Sequence, residues 1–256
     1  MKEFVSLLKV DLNRGLLSRN FAASALFIVF VMLISCSGFI TNTSDVVYLL
    51  GHALTGSGSN LFILCIAPIM PYGMAFASDV EDKALPFWLI RAGTVKYAAC
   101  KFVAAVIGGF FAVSMGIFIF LLGISFFFPL FWGTAPGDSY GILLTGNRAV
   151  SYLFLVTIHN ALSGALFAGA AMTVSAFIPN KFTVLAAPIA VYFVLMRLTT
   201  HAAIPAFIKP DFLVQRIYPD VSPLTAFLYK LIPIACVLCV LLSITIKRIR
   251  KRVGGS

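Results

Sequence analysis

Charge is scarce in this sequence. Asp, Glu, Lys and Arg together supply 11% of the 256 residues, whereas 61% are hydrophobic. Acidic residues are scarcest, nine against nineteen Lys and Arg. With a mean hydropathy of +1.02, the chain cannot keep its apolar surface inside a water-soluble globule, and it reads as an integral membrane protein.

The motifs of soluble chemistry are missing as well. There is no G-x-x-x-x-G-K-[ST] phosphate loop and no Gly-rich dinucleotide fingerprint. His-x-x-x-His, H-E-x-x-H and paired intramembrane carboxylates are also absent, which removes the usual signatures of metal-dependent and aspartyl intramembrane proteolysis. The chain therefore does not read as an enzyme, and no metal or cofactor is expected in it. Without a row of acidic residues inside the apolar runs, a proton-coupled transporter or ion pump has little to work with.

Cysteine is absent from the candidate outer loops. Cys36, Cys65, Cys100, Cys236 and Cys239 lie within or beside apolar runs, so a disulfide framework is not expected. Cys236 and Cys239 form a C-x-x-C without an accompanying His or Cys pair, and they read as small apolar side chains. Leu33-Ile-Ser-Cys36 resembles a bacterial lipoprotein cleavage site. Five further apolar spans behind it favour an uncleaved first helix.

What the chain does have is length in its apolar runs. A hydrocarbon core about 30 Å thick needs about 20 apolar residues per helix, and candidate spans fall near 21–41, 60–78, 101–128, 150–178, 182–200 and 224–246. The basic residues orient them. Lys2, Lys9, Arg14 and Arg19 precede the first span, Lys83, Arg91, Lys96 and Lys101 follow the second, Lys181 follows the fourth, and Lys247, Arg248, Arg250, Lys251 and Arg252 follow the sixth. Only Arg148, Arg197, Lys209, Arg216 and Lys230 fall on the opposite face. Lys and Arg near helix ends are held on the cytoplasmic side, which makes both termini cytoplasmic. The net charge of +10 is then topological; anionic headgroups satisfy it and no nucleic-acid partner is implied.

The expected fold is an all-α integral membrane protein, one transmembrane domain over 1–256 with six transmembrane helices. Residues 1–20 place Phe4, Leu8, Leu12 and Leu16 at spacings of four with Lys9, Arg14 and Arg19 elsewhere, the pattern of an interfacial helix. An extension of the first span is the alternative, with Asn13 and Gly15 offering a place to bend. The loop over 42–59 reads as a simple connector. Pro68, Pro71 and Gly73 should kink the second span. Gly109, Gly116 and Gly123 recur every seven residues in the third span, and Ala161, Ala165, Gly169 and Thr173 every four in the fourth. Such stripes mark close helix–helix approach. Over 200–224, Pro205, Pro210, Pro219 and Pro223 punctuate apolar residues, predicting short re-entrant helices in the outer leaflet, or an amphipathic surface loop.

Two places carry polar side chains in unusual company. His159, Asn160 and Ser163 sit inside the fourth span, either lining a translocation path or hydrogen-bonding between helices. Arg197, near the end of the fifth span, can snorkel to the interface. The other place is cytoplasmic, the segment 79–101, with seven of the chain's charged residues. Asp79, Glu81 and Asp82 are expected at the start of a short helix, where the helix dipole favours negative charge, and Arg91 just after it. Between them lies an apolar centre containing Phe87 and Trp88. So much aromatic surface suits a plug for a groove on another protein; an interfacial helix with Trp88 at the headgroups is the alternative.

The interfacial N-terminal helix, the six spans with both ends inside, and the loop Glu81 … Arg91-x-x-x-x-x-Tyr97-x-x-x-Lys101 together resemble the membrane subunits of ABC-2 type exporters over nearly the whole chain. Where many such proteins carry Glu followed by Gly-Thr, this chain reads Asp79-Val-Glu81-Asp-Lys. The resemblance implies a permease subunit in a bacterial plasma membrane. Segment 79–100 would be its coupling helix, with Asp79, Glu81, Asp82, Lys83, Phe87, Trp88 and Arg91 contacting a separate cytoplasmic ABC-type ATPase. It implies ATP and Mg in that partner, and a second permease subunit, identical or related. It also implies an amphipathic or hydrophobic cargo, a peptide before a drug or lipid. A membrane scaffold or immunity-type binding protein that moves nothing is the competing expectation.

Overall fold

The computed structural model describes residues 2–41, 43–133, 135–200 and 204–254, and among these it is helical with no strand. Helix α1 (Lys2–Leu16) stops short of α2 (Arg19–Cys36). The break falls at Leu17 and Ser18, two residues beyond Gly15; the Ser18 hydroxyl accepts from the Phe21 N–H at 3.0 Å and so caps α2. The N-terminal segment is thus a separate helix and not an extension of the next.

Among the described residues five helices are long and apolar enough to cross a membrane: α2 with the turn that follows it, and four more introduced below. The first loop is more than a connector. It contains α3 (Val46–Thr55), capped by Asp45, which buries Val46, Val47, Leu49, Leu50, Ala53 and Leu54 in the core. Asp45 Oδ2 also accepts from the Trp132 and Gly133 N–H groups at 2.8 and 2.9 Å, pinning a later loop to the same place.

The stretch expected as a kinked second span is broken several times. A π-helical turn (Leu61–Ile66) passes into a 3-10 turn (Ala67–Ile69), a turn over 70–74, and only then α4 (Ala75–Glu81). Pro68 and Pro71 each remove a donor and crowd the preceding turn, which costs a regular helix its ladder at two points. The pieces are nonetheless deep in the molecule: Ile63, Leu64, Cys65, Ala67 and Ile69 are fully buried, and Ser24 of α2 donates to the Ala67 carbonyl at 2.7 Å.

Helix α5 (Leu85–Ala92) follows, then α6 (Thr94–Ser125). Gly93 joins them at φ +75, a conformation that suits glycine. Because α6 begins at Thr94, Tyr97 and Lys101 belong to the spanning helix and not to a loop. Next come α7 (Ile142–Thr145), α8 (Ala149–Phe177), α9 (Lys181–Thr199), α10 (Pro210–Val214) and α11 (Pro223–Gly254). Of these, α6, α8, α9 and α11 complete the set of long apolar helices.

The centre of the bundle is the α6–α8 crossing. A Cβ on Gly109 would lie 2.5 Å from Ala168 Cβ and 2.8 Å from the Gly164 carbonyl. The helices therefore touch backbone to backbone, as small residues permit. Gly116 faces Ile28 of α2, and Gly169 faces Leu238 of α11 and Phe102 of α6. Gly123, the third of the expected stripe, meets nothing.

One end of the bundle gathers distant parts of the chain. Leu8 and Leu12 of α1, Trp88 of α5, Tyr97 and Phe102 at the start of α6, Met172 and Ala176 at the end of α8, and Ile249 and Val253 at the end of α11 form a single apolar cluster. Both chain ends thus lie at the same end of the molecule.

Candidate functional site

At that end the sequence has placed one cation almost wholly inside the protein. Lys101, in the second turn of α6, is 2% exposed. Its ammonium lies 3.3 Å from Asp11 Oδ1, 3.0 Å from Asp79 Oδ2 and 2.8 Å from Tyr72 Oη. The Tyr72 hydroxyl donates to Asp11 Oδ1 and the Tyr97 hydroxyl to Asp79 Oδ2, each at 2.5 Å. Burying an ammonium is tolerable only when its donors are matched in this way. The cluster joins α1, the broken stretch, α4 and α6, elements that span ninety residues of sequence.

Helix α5 leans on this cluster by one face. Trp88 lies half-buried beneath the Arg14 guanidinium at 4.8 Å, with Lys101 at 5.8 Å from its ring, the geometry of cation–π attraction. Leu85, Leu89 and Ala92 pack against the same apolar cluster. The other face is bare: Phe87 is 77% and Ile90 87% exposed. These two stand three residues apart, so they project together as one apolar knob.

The expected contact residues divide accordingly. Asp79 is turned inward onto Lys101. Glu81 pairs with Lys181 at 2.6 Å across the α8–α9 turn, both half exposed. Asp82 ends α4, its N–H bonding the Ser78 carbonyl at 2.8 Å, and Lys83 holds φ +54 in the turn that follows. The placement of the acids at the start of the short helix is corrected: Asp79 and Glu81 lie in the last turn of α4, while Arg91 lies inside α5, in its last turn. Phe87 and Arg91 are exposed and Trp88 is not fully so.

The second polar group lies at the far end of the bundle. His159 Nε2 is 3.2 Å from the Arg216 carbonyl and Nδ1 3.0 Å from the Tyr140 hydroxyl. A carbonyl only accepts, so Nε2 carries the proton and Nδ1 accepts from Tyr140. Ser163 donates to the Val214 carbonyl at 2.8 Å, and Asn160 donates to Val156 within its own helix at 2.8 Å. Ser163 thus binds the last residue of α10 and His159 the backbone just after it, while Asn160 stays within α8.

Tyr140 is itself positioned by Asp138, whose Oδ1 accepts from the Tyr140 and Gly141 N–H groups at 3.0 and 2.8 Å. Burial pushes the Asp138 carboxyl above the usual carboxylate range, against the opposing pull of the Tyr152 hydroxyl and those two N–H groups. Lys230, counted with the outer basic residues, is buried in α11, with its ammonium 3.4 Å from the Val214 carbonyl.

Asp11, Tyr72 and Lys230 were not singled out from the sequence. Asp11 left a signal: it lies between Leu8 and Leu12 on the apolar face of α1, where a carboxylate needs a partner. Tyr72 left none. Comparison with protein-family models, curated proteins and solved structures finds no match to this chain.

Proposed function

We propose that this chain is the membrane subunit of an ATP-driven exporter of the ABC-2 type, working with a separate cytoplasmic ATPase and a second permease subunit. The observation that carries the reading is α5, a short helix that is fixed on one face and presents Phe87 and Ile90 on the other. Exposed aromatic and aliphatic anchors beside a polar rim are what a docking groove recognises. A push on α5 would pass through Trp88 and Arg14 to α1, and through the α4 turn to Asp79 and Lys101, and so to the root of α6.

In this reading ATP and Mg bind only the partner. Both termini are cytoplasmic, as the basic residues at the α1 and α11 ends suggest. Because five continuous helices would leave the termini on opposite sides, the broken stretch 61–81 supplies the sixth crossing. Non-helical backbone is tolerated at membrane depth where protein buries it, and that stretch is buried. The segment that includes α10 is re-entrant, its freed carbonyls satisfied by His159, Ser163 and Lys230. A peptide or other amphipathic cargo suits a bundle whose described interior is apolar with few charges.

The test is co-purification of the full chain with its cytoplasmic ATPase, and ATP turnover with and without the chain. Phe87→Ala and Ile90→Ala should reduce both while the chain's own stability stays at the wild-type value. Trp88→Ala should also cost stability, about 1 kcal/mol from the lost cation–π contact. Wild-type association and turnover in Phe87→Ala and Ile90→Ala would overturn the coupling role and leave a scaffold or binding protein.

A further inference from the structure

Away from both polar clusters, a groove of about 530 Å³ runs between the second half of α6 and the first half of α8. Phe111, Met115, Phe118 and Leu122 form one wall at spacings of four, three and four, and Val150 and Phe154 form the other; each is between 45 and 67% exposed. The hydroxyls in the groove have already committed their protons. Ser114 bonds the Phe110 carbonyl at 2.9 Å, Thr157 the Leu153 carbonyl at 2.7 Å and Ser125 the Leu122 carbonyl at 2.9 Å, each on its own helix. A guest that fits is therefore hydrocarbon.

Leu130 and Val150 are shared with a second recess of about 350 Å³ at the mouth, lined also by Asn147, Arg148 and Ser151. Arg148 is exposed; its backbone bonds Leu143 and Tyr152 while its guanidinium has no ion pair or hydrogen bond among the described residues, and no acidic residue lines either recess. The first turn of α8 has no side-chain cap, so its free N–H groups add to the preference for an anion at this mouth.

We propose that the α6–α8 groove is a binding site for an anionic phospholipid, with an acyl chain along Phe111, Met115, Phe118 and Phe154 and the phosphate at Arg148. A guanidinium matches a phosphate in charge and in fork geometry, and the groove beside it has the apolar length that a chain needs. Assignment to the outer leaflet rests on the orientation given under the proposed function. Occupancy of the site does not, because it is read on the chain without ATPase or transport.

The purified full chain in detergent is titrated with dioleoyl phosphatidylglycerol and with dioleoyl phosphatidylcholine, and bound lipid is counted by native mass spectrometry. Phosphatidylglycerol should bind more tightly by about tenfold, because its headgroup carries no cation to offset the phosphate charge that Arg148 meets. Arg148→Gln should abolish that preference, weakening phosphatidylglycerol more than phosphatidylcholine, whose choline already offsets the phosphate charge, and Arg148→Lys should retain part of it. Ser114→Trp, which fills the groove, should weaken both lipids. Equal binding of the two lipids to the wild type, or a preference that survives Arg148→Gln, overturns the site. So does a change from dimer to monomer in Ser114→Trp with lipid binding unaltered, which would mean that a second copy covers the groove.

Discussion

Replacing Lys101 with Met keeps the aliphatic stem and removes the ammonium. Two carboxylates, Asp11 at 2% and Asp79 at 14% side-chain exposure, then share a pocket without the cation that lay 3.3 and 3.0 Å from them. Breaking a buried pair from one side costs about 3–5 kcal/mol, because the charge left behind keeps its desolvation penalty and loses its partner. The Tyr72 and Tyr97 hydroxyls still donate to the stranded oxygens, which favours the lower end of that range. Adding Asp11→Asn should restore part of the loss, since neighbours in one network are not additive, by about 0.5–3 kcal/mol. The assay is chemical unfolding of the purified chain in lipid nanodiscs, followed by fluorescence. The chain's two tryptophans are well placed: Trp88 is 5.8 Å from Lys101 and Trp132 is pinned by Asp45 at another loop. Lys181→Met is the control, because its pair with Glu81 is half exposed and exposed pairs are worth little. If Lys101→Met were no less stable than Lys181→Met, the buried cluster would not hold this end of the bundle together.

Gly109→Ala should destabilise the chain by about 1–3 kcal/mol in the same unfolding assay, the cost of overpacking a close crossing, whereas Gly123→Ala, whose Cβ would meet nothing within 4 Å, should be neutral or stabilising. His159→Leu removes two hydrogen bonds and should cost about 1 kcal/mol with transport per folded complex unchanged; transport lost at wild-type stability would place His159 on the cargo path instead. Single cysteines at 90, 137 and 142 in a cysteine-free background should react with a membrane-impermeant thiol reagent from outside at 137 and 142 only, and external labelling at 90 would reverse the orientation.

Hydropathy and period determined the class of the protein and most of its long helices. The spans expected at 150–178 and 182–200 are α8 (Ala149–Phe177) and α9 (Lys181–Thr199), and the last runs eight residues further, to Gly254. These properties are local: a run of apolar residues between polar ends reads as a helix whatever surrounds it. The close-packing role of Gly109 and Gly116 was legible for the same reason, because small residues on one face can only be useful where another helix comes near.

Tertiary structure decided the rest. Two prolines and a glycine announce a kink, but how far the broken helix departs from a straight one depends on whether neighbours bury the freed backbone, as α2 does at Ala67. Helix α3 hid in a loop that looked solvated because its sequence is short and bordered by Ser, Thr and Gly. Asp79 and Phe87 are expected on one contact surface, yet Asp79 points in and Phe87 out. A carboxylate's direction is set by where the nearest cation lands, and Lys101 meets Asp11 only after α1 has folded back across ninety residues of chain. Lys230 shows the same limit: near the end of a span it could have snorkelled outward, and what meets it is the carbonyl at the end of α10, sixteen residues before it.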